Sequence, residues 1–359
     1  MTELSEPGAP RPKPTGRQSG SRYDDHPTVR LVRRRSAPPA SAETVDATWL
    51  RELCLAAGAD DVGFVPVDHP DLAAERAYID EVLPGIATLI GFVVRASVDN
   101  LRSPARATAN LEFHTAYDEV DRVGRRIARA LQERGIRAAN PAAGFPQEME
   151  RFPDHSHSIP HKRVAVAAGL GQMGIHRNVI HPRFGNFVVL GTVATQATVS
   201  AYGEPIDFNP CLECKLCVAV CPVGAIHDDG EFDFLSCYTH NYREFMSGFT
   251  EWVHAVADSA DADDYRSRFT DTETVSMWQS LSFKADYKAA YCMAVCPAGE
   301  DVIGPWLHDR RGFTADVVRP LQHKEETIYV RPGSPAGDHV ARHFPRKEVK
   351  VVGGRRPAE

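Results

Sequence analysis

Apolar positions along this chain change period repeatedly, and each change marks an element. Trp49, Leu50, Leu53, Cys54 and Ala57 recur at helical spacing, with Asp46 before them and Gly58 behind. That is an amphipathic helix with a polar start and a glycine stop. Asp61 to Val65 reads as a strand. A helix is predicted from Asp71 to Leu83, halted by Pro84-Gly85. Ala87 to Val94 is apolar throughout, as a strand covered on both faces would be. A long helix, with room for one break, is predicted from about Pro104 to Arg134. Its later half buries Val120, Val123, Ile127 and Leu131, and Gly135 caps it. Gly185 to Val193 supplies a further apolar strand. This alternation of strands and helices predicts an α/β layer over residues 45–205.

The flanks read differently. Residues 1–44 are rich in Pro, Gly, Ser and Arg and hold few apolar side chains, so they are expected to be a disordered basic leader. A cluster-binding module is expected over 206–304, with a long helical insertion at 238–288 that covers it. Residues 305–359 read as a strand–helix–strand extension: Glu326 to Val330, Ala336 to Phe344, Glu348 to Val352.

Composition changes this picture little. The 359 residues are 43% hydrophobic and 25% charged, an ordinary globular balance. A net charge of −7 speaks against nucleic acid as a partner. No apolar run approaches the roughly 20 residues of a membrane span. Arg33-Arg34-Arg35 is followed by Ser36-Ala-Pro-Pro rather than an apolar stretch, so no export signal is read and a cytoplasmic location is expected.

The cysteines change it most. Cys211, Cys214, Cys217 and Cys221-Pro222 follow the Cys-x2-Cys-x2-Cys-x3-Cys-Pro spacing of bacterial ferredoxins, and Cys292 and Cys296-Pro297 repeat its end. In such two-cluster modules the fourth Cys of a run serves the other cluster. Cys296 is therefore expected to complete the Cys211, Cys214, Cys217 set, and Cys221 and Cys292 to serve a second cluster. Zinc knuckles use paired Cys-x2-Cys units, a different pattern. Cys54 sits on an apolar helix face and reads as core.

With these residues in view, the chain resembles the superfamily of epoxyqueuosine reductases and reductive dehalogenases. The resemblance rests on Ala168-Gly169-Leu170-Gly171, Gly174, Gly185-Asn-Phe-Val-Val-Leu-Gly, the dicluster cysteine runs and the Cys237-Tyr238 pair. It implies an α+β architecture: a nitroreductase-like cobalamin-binding domain followed by a dicluster ferredoxin-like domain. It also implies two iron–sulfur clusters, with Cys237 joining Cys221 and Cys292, and base-off cobalamin held by Gly169, Leu170, Gly171, Gly174 and His176.

The activity implied is reduction of an epoxide, carbon–halogen or related bond of a small molecule or modified nucleoside. An external ferredoxin- or flavodoxin-type donor would supply the electrons. The alternative is a dicluster electron carrier without its own cobalamin. Three departures from the family pattern stand out. Ala289 replaces a cysteine, leaving a second cluster that is 3Fe–4S, or 4Fe–4S closed by His240, Asp286 or water. The proton-donor position falls on His155, with Asp154 and Tyr117 as further candidates. The cofactor loop is altered to Met173-Gly174-Ile175-His176-Arg177-Asn178. Independently, His155, His157 and His161 have a spacing that would suit a divalent metal.

Overall fold

The computed structural model describes residues 23–34, 44–151 and 155–353. The chain divides into two compact units, Met1–Ala40 and Ser41–Glu359. In the first, the leader expected to lack structure carries a helix, Pro27–Arg34. Arg30 pairs with Asp25 at 2.7 Å and Arg33 with Asp24 at 2.6 Å. These local ion pairs and the proline at the helix start favour a turn-rich helix that composition alone does not reveal.

The second unit is built on a four-stranded sheet in the order Asp61–Pro66, Thr88–Arg95, Val188–Thr195, Ala138–Ala139. Every neighbouring pair is antiparallel. The mixed α+β architecture is the one the resemblance implies, whereas the α/β layer read from the strand–helix alternation is not found, because the sheet is antiparallel. Burial hides the difference. Thr88–Arg95 is buried at every position but the last, because helices cover both faces of the sheet. An antiparallel strand in that setting shows the same continuous apolar run as a parallel one.

Strand alternation sorts the side chains. Ile90, Phe92 and Val94 face a core completed by Leu50, Cys54, Phe113, Val120, Val123, Ile127 and Leu131. Leu89 and Val93 face the opposite core with Leu72, Ile79, Val164 and Leu170. Cys54 is fully buried, and burial pushes its thiol up to about 12, as suits a core residue. The long helix runs unbroken over Arg106–Glu133, after a separate short helix at Val98–Arg102. Pro104 lies between the two, where its missing amide costs nothing.

Gly191 is the cross-strand partner of Phe92, whose ring fills the space above it. A Cβ there would lie 2.2 Å from the Phe92 ring. Gly191→Ala should cost about 1–3 kcal/mol by overpacking, read as a lower urea midpoint at unchanged slope.

Between the two cysteine runs, helices span Phe234–Asn241, Phe249–Asp258, Ala262–Arg268 and Asp271–Phe283. The last begins with a Thr270–Glu273 capping box. In the C-terminal extension, Thr327–Val330 and Glu348–Val351 pair in parallel, joined by the helix Ala336–His343. Ile328, Val330, Val340 and Phe344 pack into one core with Val220, Cys217 and Cys221. The extension thus buttresses the cysteine-bearing segment. Among the described residues no helix is long and apolar enough to cross a membrane.

One partly buried contact links the sheet to a pH response. Asp61 accepts from Arg51 at 2.6 Å, from the Val62 amide at 2.8 Å, and lies 3.1 Å from His181 Nε2. Burial alone would raise its carboxyl, but the His181, Arg51 and Val62 contacts win and hold it at about 2. A depressed carboxyl stabilises the fold above its unfolded value near 4, and that stability drains away as pH falls towards 2. Discounted for partial exposure, the contribution is about 1 kcal/mol. Asp61→Asn should therefore unfold earlier in urea at pH 6 and nearly match the parent at pH 2.5.

Candidate functional site

Cys211, Cys214, Cys217 and Cys296 line one small recess together with Ile175, Lys215 and Pro297. The loop wraps inward because Glu213 and Lys215 take left-handed backbone angles, φ 48 and 61°. Asn209 Oδ1 accepts the Cys211 amide at 2.9 Å and fixes the loop's start. Burial and the neighbouring thiols push Cys217 well above the ordinary thiol range, and burial pushes Cys296 up to about 12. Buried thiols crowded in this way do not ionise together unless a cation joins them, and iron is such a cation. The expected grouping of Cys296 with the first run is what the fold brings together.

Cys221, Cys237 and Cys292 line a second, larger cavity of about 540 Å³. Burial raises the Cys221 thiol, opposed by amide donors that include Ala225 N–H at 3.2 Å from Sγ. Burial also pushes Cys292 up to about 12 and Cys237 well upward. Cys217 lies on the short helix Leu216–Val220 that Cys221 caps, and His176 lines both recesses, so the two thiol sets are close neighbours. Of the eight cysteines, four line the first recess, three the second cavity, and Cys54 lies in the sheet core. No fourth thiol remains for the second set, and Ala289 forms part of that cavity's wall.

Beside the segments that carry Cys221 and Cys292, further parts of the wall come from elsewhere in the chain. The long helix provides Phe113 and Tyr117; the altered loop provides Met173, His176, Arg177 and Asn178; the insertion provides Phe234, His240, Tyr242 and Tyr287. Tyr242 and Tyr287 meet edge to face at 5.6 Å. Lys162 also lines the cavity. Its ammonium donates to Arg177 O at 2.6 Å and Asn178 Oδ1 at 3.3 Å, leaving one of its three N–H groups for a bound molecule. Lys162 is exposed as a residue, and the protein around its ammonium displaces part of its water. That desolvation lowers its pKa, against the pull of Cys292 and Cys237. Sequence reading missed Lys162, since a lysine in a helix's first turn ordinarily reads as solvated.

Several expected site residues lie elsewhere. His155 lines a separate recess, stacked on Tyr78 at 3.5 Å, and is not in the cluster cavity. Its Nδ1 stands 3.8 Å from Glu75 Oε2. Asp154 lies outside the described residues. Among these histidines, the donor atoms that come within 4.8 Å of one another belong to Glu75, His155 and His157, not to the three histidines together. His161 instead bonds Thr192 Oγ1 at 2.9 Å and Ala142 O at 3.1 Å, and burial pushes it down to about 4.

Gly169, Leu170, Gly171 and Gly174 do not line the cavity. Gly169 has φ +79°, and a Cβ there would meet Glu204 O at 2.5 Å; at Gly171 it would meet Ile180 O at 2.4 Å. Leu170 is core. This glycine stretch serves close approach of the protein's own backbone. His176 does line the cavity, but its Nδ1 accepts the Asn178 amide and its Nε2 faces Asn186 Nδ2 at 3.1 Å, so neither nitrogen is left for a metal. Asp286 does not line the cavity either; it pairs with Arg106 at 3.1 Å and with Asn110. His240 does, with Nδ1 accepting the Tyr329 amide at 3.3 Å.

A 4Fe-4S binding domain model, Fer4, matches residues 204–227. The epoxyqueuosine reductase of Synechococcus sp. (strain CC9605) is 29% identical over 184 residues, covering 50% of this chain and 53% of that protein. The chain spans about half the length of the curated relatives it matches. The solved epoxyqueuosine reductase of Streptococcus thermophilus aligns at 15% identity and a TM-score of 0.44, over 76% of this chain and 75% of that one. A reductive dehalogenase structure aligns at 14% identity and a TM-score of 0.45, over 86% and 37%. The chain carries a 4Fe–4S binding domain and is a distant homologue of the epoxyqueuosine reductases, which are oxidoreductases.

Proposed function

We propose that this chain is a cytoplasmic, cobalamin-using iron–sulfur reductase that cleaves an epoxide, carbon–halogen or related bond in a small molecule or modified nucleoside. The observation that carries the reading is the adjacency of two thiol sets, the second opening into a cavity that Lys162 and four tyrosines also line. The thiols fit two clusters. The glycine stretch does not fit as a corrin cradle; the wall formed by Phe113, Tyr117, Met173 and Arg177 is what a flat macrocycle could rest on. Clusters on these thiols would supply single electrons from an external low-potential donor, and cobalamin would supply a strongly reducing metal centre.

The protein's own part is placement and protonation. Tyr117, Tyr242 and Tyr287 line the cavity, and burial raises all three hydroxyls further above neutrality, which keeps them protonated. Lys162, anchored by Arg177 O and Asn178, would donate a proton to the departing group. Tyr117 remains a second donor at the same cavity. Anaerobic reconstitution with iron, sulfide and cobalamin tests the reading. Retained cobalamin and titanium(III)-driven reduction of an epoxide or organohalide probe are expected. A protein that takes up iron but never holds cobalamin would reject it.

A second reading, a dicluster electron carrier, is favoured by the inward packing of the glycine stretch. It would show reversible couples in a redox titration and no turnover with any probe.

A further inference from the structure

The second thiol set supplies three ligands, and a cubane has four irons. The cavity wall offers few replacements. No carboxylate lines it. Asn241 Oδ1 is taken by the Ala289 amide at 2.8 Å, and Tyr291 donates its hydroxyl to Glu326 at 2.7 and 2.8 Å. His176 has both nitrogens engaged.

His240 is the remaining histidine of the wall, and its hydrogen bonding decides its role. The residue is 1% exposed and stands three positions after Cys237, on the same face of one helix. Its Nδ1 accepts the Tyr329 amide, so in the neutral ring the proton sits on Nε2. Nε2 is buried and has no partner. A protonated Nε2 cannot bind iron; it is a donor in want of an acceptor. Such an orphaned donor in a dry wall costs stability unless something in the cavity accepts from it.

We propose that the second cluster keeps one iron without a protein ligand, and that this iron takes a solvent-derived oxygen, water or hydroxide, held by the His240 Nε2–H. The proposal rests on the two-cluster reading above. It makes that iron an exchangeable position in the same cavity as Lys162, open to small oxygen-donor ligands. His240 is a positioning residue there.

The test uses the full chain, anaerobically reconstituted, with iron counted first. In water enriched in oxygen-17, the resonance of the reduced second cluster should broaden, and no strongly coupled nitrogen should appear. One-electron oxidation by ferricyanide should release one Fe(II) per chain and leave a 3Fe–4S signal, reversed by added Fe(II) and reductant. His240→Phe should keep the broadening but release that iron about tenfold faster, the effect of one lost hydrogen bond to a charged group. A strong nitrogen coupling that vanishes in His240→Phe would show histidine ligation and overturn the proposal. So would a full complement of iron with neither broadening nor a labile iron. About half the iron, in a single cluster, would instead overturn the two-cluster reading itself and this proposal with it.

Discussion

Lys162→Met is expected to lower turnover of an epoxide or organohalide probe by about 10²- to 10⁴-fold, with iron content and cluster resonances unchanged. Methionine keeps the length of the side chain and removes the proton and the charge. The hydrogen bonds to Arg177 O and Asn178 Oδ1 would go, yet both partners sit in an accessible loop that water can reach. The loss should fall on kcat rather than KM, because a proton delivered to a leaving group matters only in the transition state. Lys162→Arg should recover little, since a guanidinium does not give up its proton near neutrality. Equal loss in KM alone would make Lys162 a binding group instead.

The second large effect concerns a residue that touches no thiol. Gly185 has φ +64°, and a Cβ there would lie 2.1 Å from Ala298 O. That carbonyl belongs to the segment directly after Cys296-Pro297. The same segment is tied to the turn before Gly185, by Glu300 N–H to Pro182 O and Asp301 N–H to Arg183 O, each 2.9 Å. Arg183 and Asp301 also pair at 3.0 Å. Gly185→Ala must therefore push the Cys296 segment away from the sheet, while straining its own backbone. A loss of about 3 kcal/mol is expected from the two effects together. Iron retained after reconstitution should fall by about half, because Cys296 closes the first set. Full iron retention with a lowered unfolding midpoint would mean that the clash is relieved within the turn.

The cysteine groupings were legible in the sequence because cluster geometry is local. Three ligands on one loop and a proline after the fourth leave little freedom, and Cys296 joined Cys211, Cys214 and Cys217 as the spacing implies. Most helices were legible too, their periodicity being undiluted. Strand direction was not, since a strand buried on both faces carries no mark of its neighbours' sense. The glycine stretch signalled close backbone approach correctly, but the approaching group is Glu204 or Ile180 of the same chain. His155 was reached by counting along the chain, and the loop that carries it turns towards Tyr78 and Glu75. Lys162 carried no signal beyond its charge; only the fold sets it beside Cys237 and Cys292.

The central claim is that seven cysteines divide into two neighbouring sets, each holding an iron cluster. The most direct measurement is iron content together with electron paramagnetic resonance of the anaerobically reconstituted, fully reduced chain. About eight irons per chain are predicted, with the two reduced clusters splitting each other's lines through spin coupling. Four irons and one uncoupled signal, or colourless iron-free protein, would contradict it.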